Sequence, residues 1–188
     1  QPLIRSLIGV LILTLLASAV YIVNDLIDVQ ADRLHPQKRF RPIASGALPI
    51  YVAIMVFFLL LSAALLAAYL LSLGFVIICL AYFLLTLSYS KWLKHIPLVD
   101  VIVLATFYLM RVGAGITIIH VGSFSPWLYV VTGLGALFVG LGKRRAELVL
   151  MSSSPKGYGA TRKVLAGYTL PLLDQLIAMI SSCIILAY

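Results

Sequence analysis

Charge is what this sequence has least of. Only 11% of its 188 residues are Asp, Glu, Lys or Arg, and just six are acidic. A soluble domain carries roughly 25% charged residues, so a water-covered surface is excluded, and with it the ordinary soluble enzyme. Cysteine is scarce too. Cys79 and Cys183 each lie within an apolar run, without CxxC or Cys/His spacing, which rules out a disulfide framework or a zinc site and leaves two small core residues. A phosphate-binding loop of the Walker type is missing: in Gly133–Lys143 no Ser or Thr follows the lysine and position 137 is Leu. The glycines at 113, 115, 133, 135, 140 and 142 suit close helix packing instead. No internal repeat stands out.

What is abundant is apolar length, at 63% of the residues. A helix needs about 20 mostly apolar residues to cross the hydrocarbon core, and such stretches recur at 3–23, 50–73, 75–89, 97–120, 127–141 and 164–187. They are continuous and do not alternate, so helices are expected and a β-barrel is not. The fold class is therefore all-α, a polytopic transmembrane bundle of about six helices in a single membrane domain, 1–188. The first stretch imitates a signal peptide, with Ala17-Ser18-Ala19 after an apolar run. It continues through Val23 directly into a polar motif, which argues against cleavage. The start without Met and the apolar run up to Tyr188 suggest a piece of a longer chain.

Threading six spans back and forth puts the connections at 24–49, 90–96 and 142–163 on one side. Twelve of the fourteen basic residues fall there, namely Arg33, Lys38, Arg39, Arg41, Lys91, Lys94, Lys143, Arg144, Arg145, Lys156, Arg162 and Lys163. The opposite connections hold none, so the charged side is expected to face the cytoplasm. Topology explains the bases but not the acids. Asp25, Asp28, Asp32 and Glu147 share the same side, and Asp100 and Asp174 lie just inside helices from it. Acids contribute little to orientation, so their clustering points to a site. A net charge of +8 calls for anionic partners, phosphates or lipid headgroups. Nucleic acid is disfavoured, because the bases occupy short loops between spans.

The chemistry concentrates in Asn24-Asp25-Leu26-Ile27-Asp28-Val29-Gln30-Ala31-Asp32. Spacings of three and four set Asp25, Asp28 and Asp32 on one helical face. Three carboxylates on adjacent turns repel one another unless a cation joins them, and an all-oxygen set favours Mg²⁺, which leaves positions for water and substrate phosphate. The next segment has Pro36 and Pro42, which break a helix, and Lys38, Arg39 and Arg41, whose donors match phosphate oxygens. His35, beside Pro36, reads as structural. Acid cluster plus basic loop is the arrangement expected for a metal–diphosphate complex. Arg111 lies deep in a span, where an ionised arginine costs about 2.5–3.5 kcal/mol. It should face the bundle and pair with Asp100, Asp174 or a lipid phosphate. Lys156, Tyr158 and Arg162 form a polar loop that suits either topology or closure over substrate.

The run from Asn24 to Gly46 resembles the first aspartate motif, NDxxDxxxD with a trailing basic loop, of the UbiA-type prenyltransferase superfamily. Tyr89-Ser90-Lys91, Asp100-Val101 and Arg111 with Gly113 and Gly115 extend the similarity over nearly the whole chain. Members usually have about nine helices, so the resemblance implies that this chain corresponds to the second through seventh. It also implies Asp25, Asp28 and Asp32 as the catalytic Mg²⁺ ligands, with Asn24, Tyr89 and Lys91 beside the substrate. Most members carry a second aspartate motif in the later polar loop. Here the chain reads Gly142-Lys143-Arg144-Arg145-Ala146-Glu147, with three bases and one acid. That departure resembles a phosphoribosyl-transferring branch, whose substrates are phosphoribosyl diphosphate and a polyprenyl phosphate.

Three anionic groups in one site would suit Lys143, Arg144 and Arg145, with Arg162 on the loop that could close over substrate, so the expected function is a Mg²⁺-dependent membrane transferase. It would move a 5-phosphoribosyl group to a polyprenyl phosphate and release diphosphate. The nearest alternative is a prenyltransferase acting on an aromatic or other small acceptor. An anion transporter would need ionisable residues along a path to the far side, and only Arg111 and Arg5 stand away from the polar face. A phosphotransferase of the CDP-alcohol class is disfavoured, because its DG and AR elements are missing around Asp28. Association into a homo-oligomer stays open.

Overall fold

The computed structural model describes residues 2–34, 37–119, 125–153 and 163–187, and among them the regular structure is entirely helical. Seven α-helices follow in order: α1 (Pro2–Ile27), α2 (Val29–Leu34), α3 (Ile50–Leu71), α4 (Leu73–Lys91), α5 (Val99–Ile118), α6 (Pro126–Ser153) and α7 (Leu170–Ala187). All but the six-residue α2 are long and apolar enough to cross a membrane. The six expected spans are thus all present, with shifted ends. The two that read as short in the sequence are α4, at 19 residues, and α6, at 28. The reason in α6 is that Lys143, Arg144 and Arg145 continue the helix as good helix formers. They do not open a loop, as the boundary at 142 had implied.

The helix ends follow local chemistry. Pro126 occupies the first position of α6, where its missing N–H costs nothing. Ser72 and Thr169 cap α4 and α7, their hydroxyls accepting from the N–H groups of Phe75 and Leu172. Hydroxyls inside the spans satisfy themselves against their own helix, as Thr14 does with the Val10 carbonyl and Thr86 with that of Tyr82. Arg5, the isolated charge at the sparsely charged end, donates from Nη2 to the Leu71 carbonyl, an exposed last-turn group of α3.

The chain divides into two compact units. The first comprises residues 1–87 and 114–120, the second 88–113 and 121–188. In the first, α1 packs on α3, and Ile12, Leu16, Ala19, Ala53, Ala64, Ala68, Phe75 and Cys79 are buried. In the second, α6 packs on α7 around Val101, Leu141, Val164, Leu165, Tyr168 and Leu173. Cys79 is a core residue as expected, but Cys183 is exposed. It lies on α7, most of whose residues are not buried.

Candidate functional site

In the first unit the aspartate motif occupies the end of α1 and the start of α2. The helix is interrupted at Asp28, between Ile27 and Val29. Backbone bonds from Asp28 N to Asn24 O and from Asp32 N to Asp28 O carry the i, i+4 pattern through the break. Asp25 and Asp32, two turns apart, therefore keep a common face. Both reach the same atom: Arg41 Nη1 lies 2.8 Å from Asp25 Oδ1 and 2.8 Å from Asp32 Oδ2. Asp28 is half-buried at the interruption, as is Asn24 one turn earlier. Among the described residues no three His, Cys, Asp or Glu side chains gather as a ready metal-binding group.

The loop after α2 folds back on it. Residues Lys38–Phe40 form a 3₁₀ turn, and the Arg41 N–H returns to the Lys38 carbonyl. Arg33 Nε donates to the Ala44 carbonyl, while Ile43 and Ala44 are buried beneath. This anchoring brings Arg41 to the acids. Lys38 Nζ stands 3.9 Å from Asp32 Oδ1, at the outer limit of an ion pair. Arg39 is exposed, its guanidinium 4.8 Å from the centre of the Phe40 ring. The basic loop expected to reach only for phosphate thus spends Arg41 on its own carboxylates. His35 and Pro36 lie outside the described residues.

The second unit holds the residues that stand where a second aspartate motif was missing. Arg144, on α6, is buried, with Nε 2.8 Å from Asp100 Oδ2 and Nη1 2.7 Å from Glu147 Oε2. The Nε–H direction misses Asp100 Oδ2, so the contact is an ion pair without an aligned hydrogen bond. Tyr168 donates its hydroxyl proton to Asp100 Oδ1 and accepts from the Leu98 N–H at 2.7 Å. Burial first, and then the bond to the Asp100 carboxylate, hold the Tyr168 phenol well above its ordinary pKa. Lys143 and Arg145 are exposed, and Arg145 pairs with Asp174.

The acids offered to Arg111 are thus engaged by other arginines: Asp100 by Arg144, Asp174 by Arg145. Arg111 itself is exposed, 5.7 Å from the centre of the Tyr108 ring. Tyr89 is half-buried, edge-on to Phe107 at 5.9 Å, and Lys91 lies 4.8 Å from the Trp92 ring centre. Lys156, Tyr158 and Arg162 lie outside the described residues. Tyr168 escaped sequence reasoning altogether, because its partners are 68 and 70 residues away and nothing local marks it.

Comparison with known proteins agrees with the fold. Residues 1–146 match the UbiA prenyltransferase family. The decaprenyl-phosphate phosphoribosyltransferase of Mycobacterium tuberculosis is 37% identical over 177 residues, which are 94% of this chain and 57% of that protein. Its namesake in Corynebacterium glutamicum is 35% identical over 175 residues, 92% of this chain and 51% of that one. The chain therefore spans little more than half the length of these relatives. Among solved structures, a UbiA homolog from Archaeoglobus fulgidus bound to DMAPP and Mg²⁺ superposes with a TM-score of 0.79 at 18% identity, covering 97% of this chain and 64% of that one. The motif at Asn24–Asp32, the six long apolar helices and these matches lead to one assignment: the chain is a multi-pass membrane protein of the UbiA prenyltransferase family.

Proposed function

We propose that this chain carries the core of a Mg²⁺-dependent membrane transferase that moves a 5-phosphoribosyl group from phosphoribosyl diphosphate to a polyprenyl phosphate. The observation that carries this reading is the 34–37% identity, over more than nine-tenths of the chain, to proteins named decaprenyl-phosphate phosphoribosyltransferase. In the reaction the bond from ribose C1 to the diphosphate oxygen breaks, and diphosphate leaves with the electron pair. A bond from C1 to a lipid phosphate oxygen forms in its place. The acceptor is already an anion, so no strong general base is needed, and catalysis rests on positioning and charge stabilisation.

The donor set suits a hard divalent cation. Asp25 Oδ1 and Asp32 Oδ2 converge on one point, held here by a cationic nitrogen of Arg41. Asp25 and Asp32, with Asp28 between them, would hold Mg²⁺, which when bound supplies charge neutralisation for the leaving diphosphate. Lys38, Arg39 and Arg41, on the loop over this cluster, provide donors for the phosphates. Lys143 and Glu147, four residues apart on α6, share a face and would meet the ribosyl donor. The lipid acceptor would enter laterally from the bilayer. By the charge asymmetry the site opens to the cytoplasm.

A second reading, prenyl transfer to a small or aromatic acceptor, draws on the family description and on homologs solved with DMAPP or GPP and Mg²⁺. Full-length protein incubated with labelled phosphoribosyl diphosphate, a polyprenyl phosphate and Mg²⁺ should label the lipid, and Asp25→Ala or Asp28→Ala should abolish the product. Retained activity in both variants would sink the metal assignment. Turnover only with a prenyl diphosphate and an aromatic acid would establish the second reading instead.

A further inference from the structure

Outside the aspartate motif, the most enclosed polar assembly among the described residues runs from the Leu98 N–H through Tyr168, Asp100 and Arg144 to Glu147. Asp100 is completely buried, Tyr168 and Arg144 are each 4% exposed, and only the Glu147 side chain, at 38%, reaches the surface. Burying an acid and an arginine within a membrane bundle is costly unless each is paired. The chain here accepts further costs to keep them in place. Leu98 has a φ of 67°, a left-handed backbone rarely adopted by a residue with a branched side chain, and its N–H serves the Tyr168 oxygen.

Two glycines let the three elements close on one another. A Cβ on Gly167 would come within 2.2 Å of Pro97 Cγ, part of a rigid ring. A Cβ on Gly140 would lie 2.7 Å from Val101 Cγ1. Gly167 thereby sets its neighbour Tyr168 against Leu98, and Gly140, one turn before Arg144, sets that arginine against Asp100. The result is a guanidinium gripped at two separate nitrogens, Nε by Asp100 and Nη1 by Glu147.

We infer that Tyr168 and Asp100 are positioning residues: they fix the Arg144 guanidinium, and through it the Glu147 carboxylate, in the orientation that receives the ribosyl donor. Neither touches substrate. The inference rests on the transfer reaction proposed above, which brings the donor to Glu147. A purely structural network would affect stability alone, whereas a positioning network must act on ligand through Glu147.

The test is a double-mutant cycle on binding of Mg²⁺–phosphoribosyl diphosphate to full-length protein, with thermal unfolding followed in the same samples. Tyr168→Phe and Asp100→Asn are each expected to weaken binding by about tenfold or more, the usual scale for loss of an orienting partner. Tyr168→Phe on top of Glu147→Gln should then add no more than about twofold, since both changes act through one carboxylate. Unchanged binding in Tyr168→Phe, or losses that multiply in the double variant, would overturn the positioning role. Should Tyr168→Phe not fold, the near-isosteric Asp100→Asn carries the same cycle. Failure of the unaltered protein to bind the donor would instead overturn the transferase reading, and this inference with it.

Discussion

The two units use the same ingredients, two carboxylates around one arginine, and build opposite things from them. In the first, Asp25 and Asp32 share a single nitrogen of Arg41, a loop residue whose side chain is 41% exposed. In the second, Asp100 and Glu147 hold different nitrogens of Arg144, a helix residue whose side chain is 5% exposed. A one-nitrogen contact from a solvated loop is easily exchanged for water, a metal or a phosphate. A two-nitrogen grip on a buried helical side chain is not, because its departure would strand both Arg144 and Asp100 as buried charges, whereas in the first cluster only Asp32 is buried. Accessibility and the element that carries the arginine, not the residue types, separate an exchangeable site from a fixed support.

Removing each arginine gives the widest test of that contrast. Arg144→Ala strands the fully buried Asp100 carboxylate and is expected to cost about 3–5 kcal/mol, the usual loss when one partner of a buried pair is deleted. Arg41→Ala removes a solvated guanidinium but leaves the buried Asp32 carboxylate with Lys38 still 3.9 Å away, so it should cost less, about 1–2 kcal/mol. Thermal unfolding in detergent reads both. Equal losses would erase the distinction between the two clusters.

A smaller effect sharpens it further. With Asp25 and Asp32 as the proposed metal ligands, Arg41 competes with a divalent cation for their oxygens. Mn²⁺ bound without diphosphate, followed by electron paramagnetic resonance, should bind roughly two- to fivefold more tightly to Arg41→Ala, the equivalent of up to about 1 kcal/mol of released competition. Weaker binding would mean that Arg41 supports the cation site and does not occupy it.

How much of this was legible in the sequence follows from the range of each interaction. The six spans were, because twenty apolar residues in a row leave a backbone in lipid little choice but the helix. The shared face of Asp25 and Asp32 was too, since seven residues are two helical turns. That Arg41 would turn onto those acids depended on the fold-back anchored by Arg33 and Ala44. Neither spacing nor composition encodes that turn. The second cluster was the least legible. Asp100, Arg144 and Tyr168 come from three elements far apart in the chain, and they meet only because Gly140 and Gly167 allow close packing. Reading Lys143, Arg144 and Arg145 as a block of free positive charge missed that Arg144 and Arg145 each already have an acid.

The smallest expected effect isolates the Tyr168 end of the buried network. Its phenol has a raised pKa in the fold, first from burial and then from the Asp100 carboxylate, with the Arg144 charge acting the other way. In the unfolded chain a tyrosine titrates near about 10. A group whose folded pKa is raised contributes stability that is fully present below the unfolded value and is lost as pH climbs through the folded one. Wild-type stability should therefore fall more steeply above about pH 10 than that of Tyr168→Phe, because only the wild type must keep a proton that the unfolded chain releases. Lysines titrate in the same range but do so in both proteins, so the difference between the two thermal-unfolding curves reports Tyr168 alone. Parallel curves from pH 8 to 11 would mean that burial and the Asp100 carboxylate do not hold the hydroxyl neutral, and the fixed end of the comparison would lose its anchor.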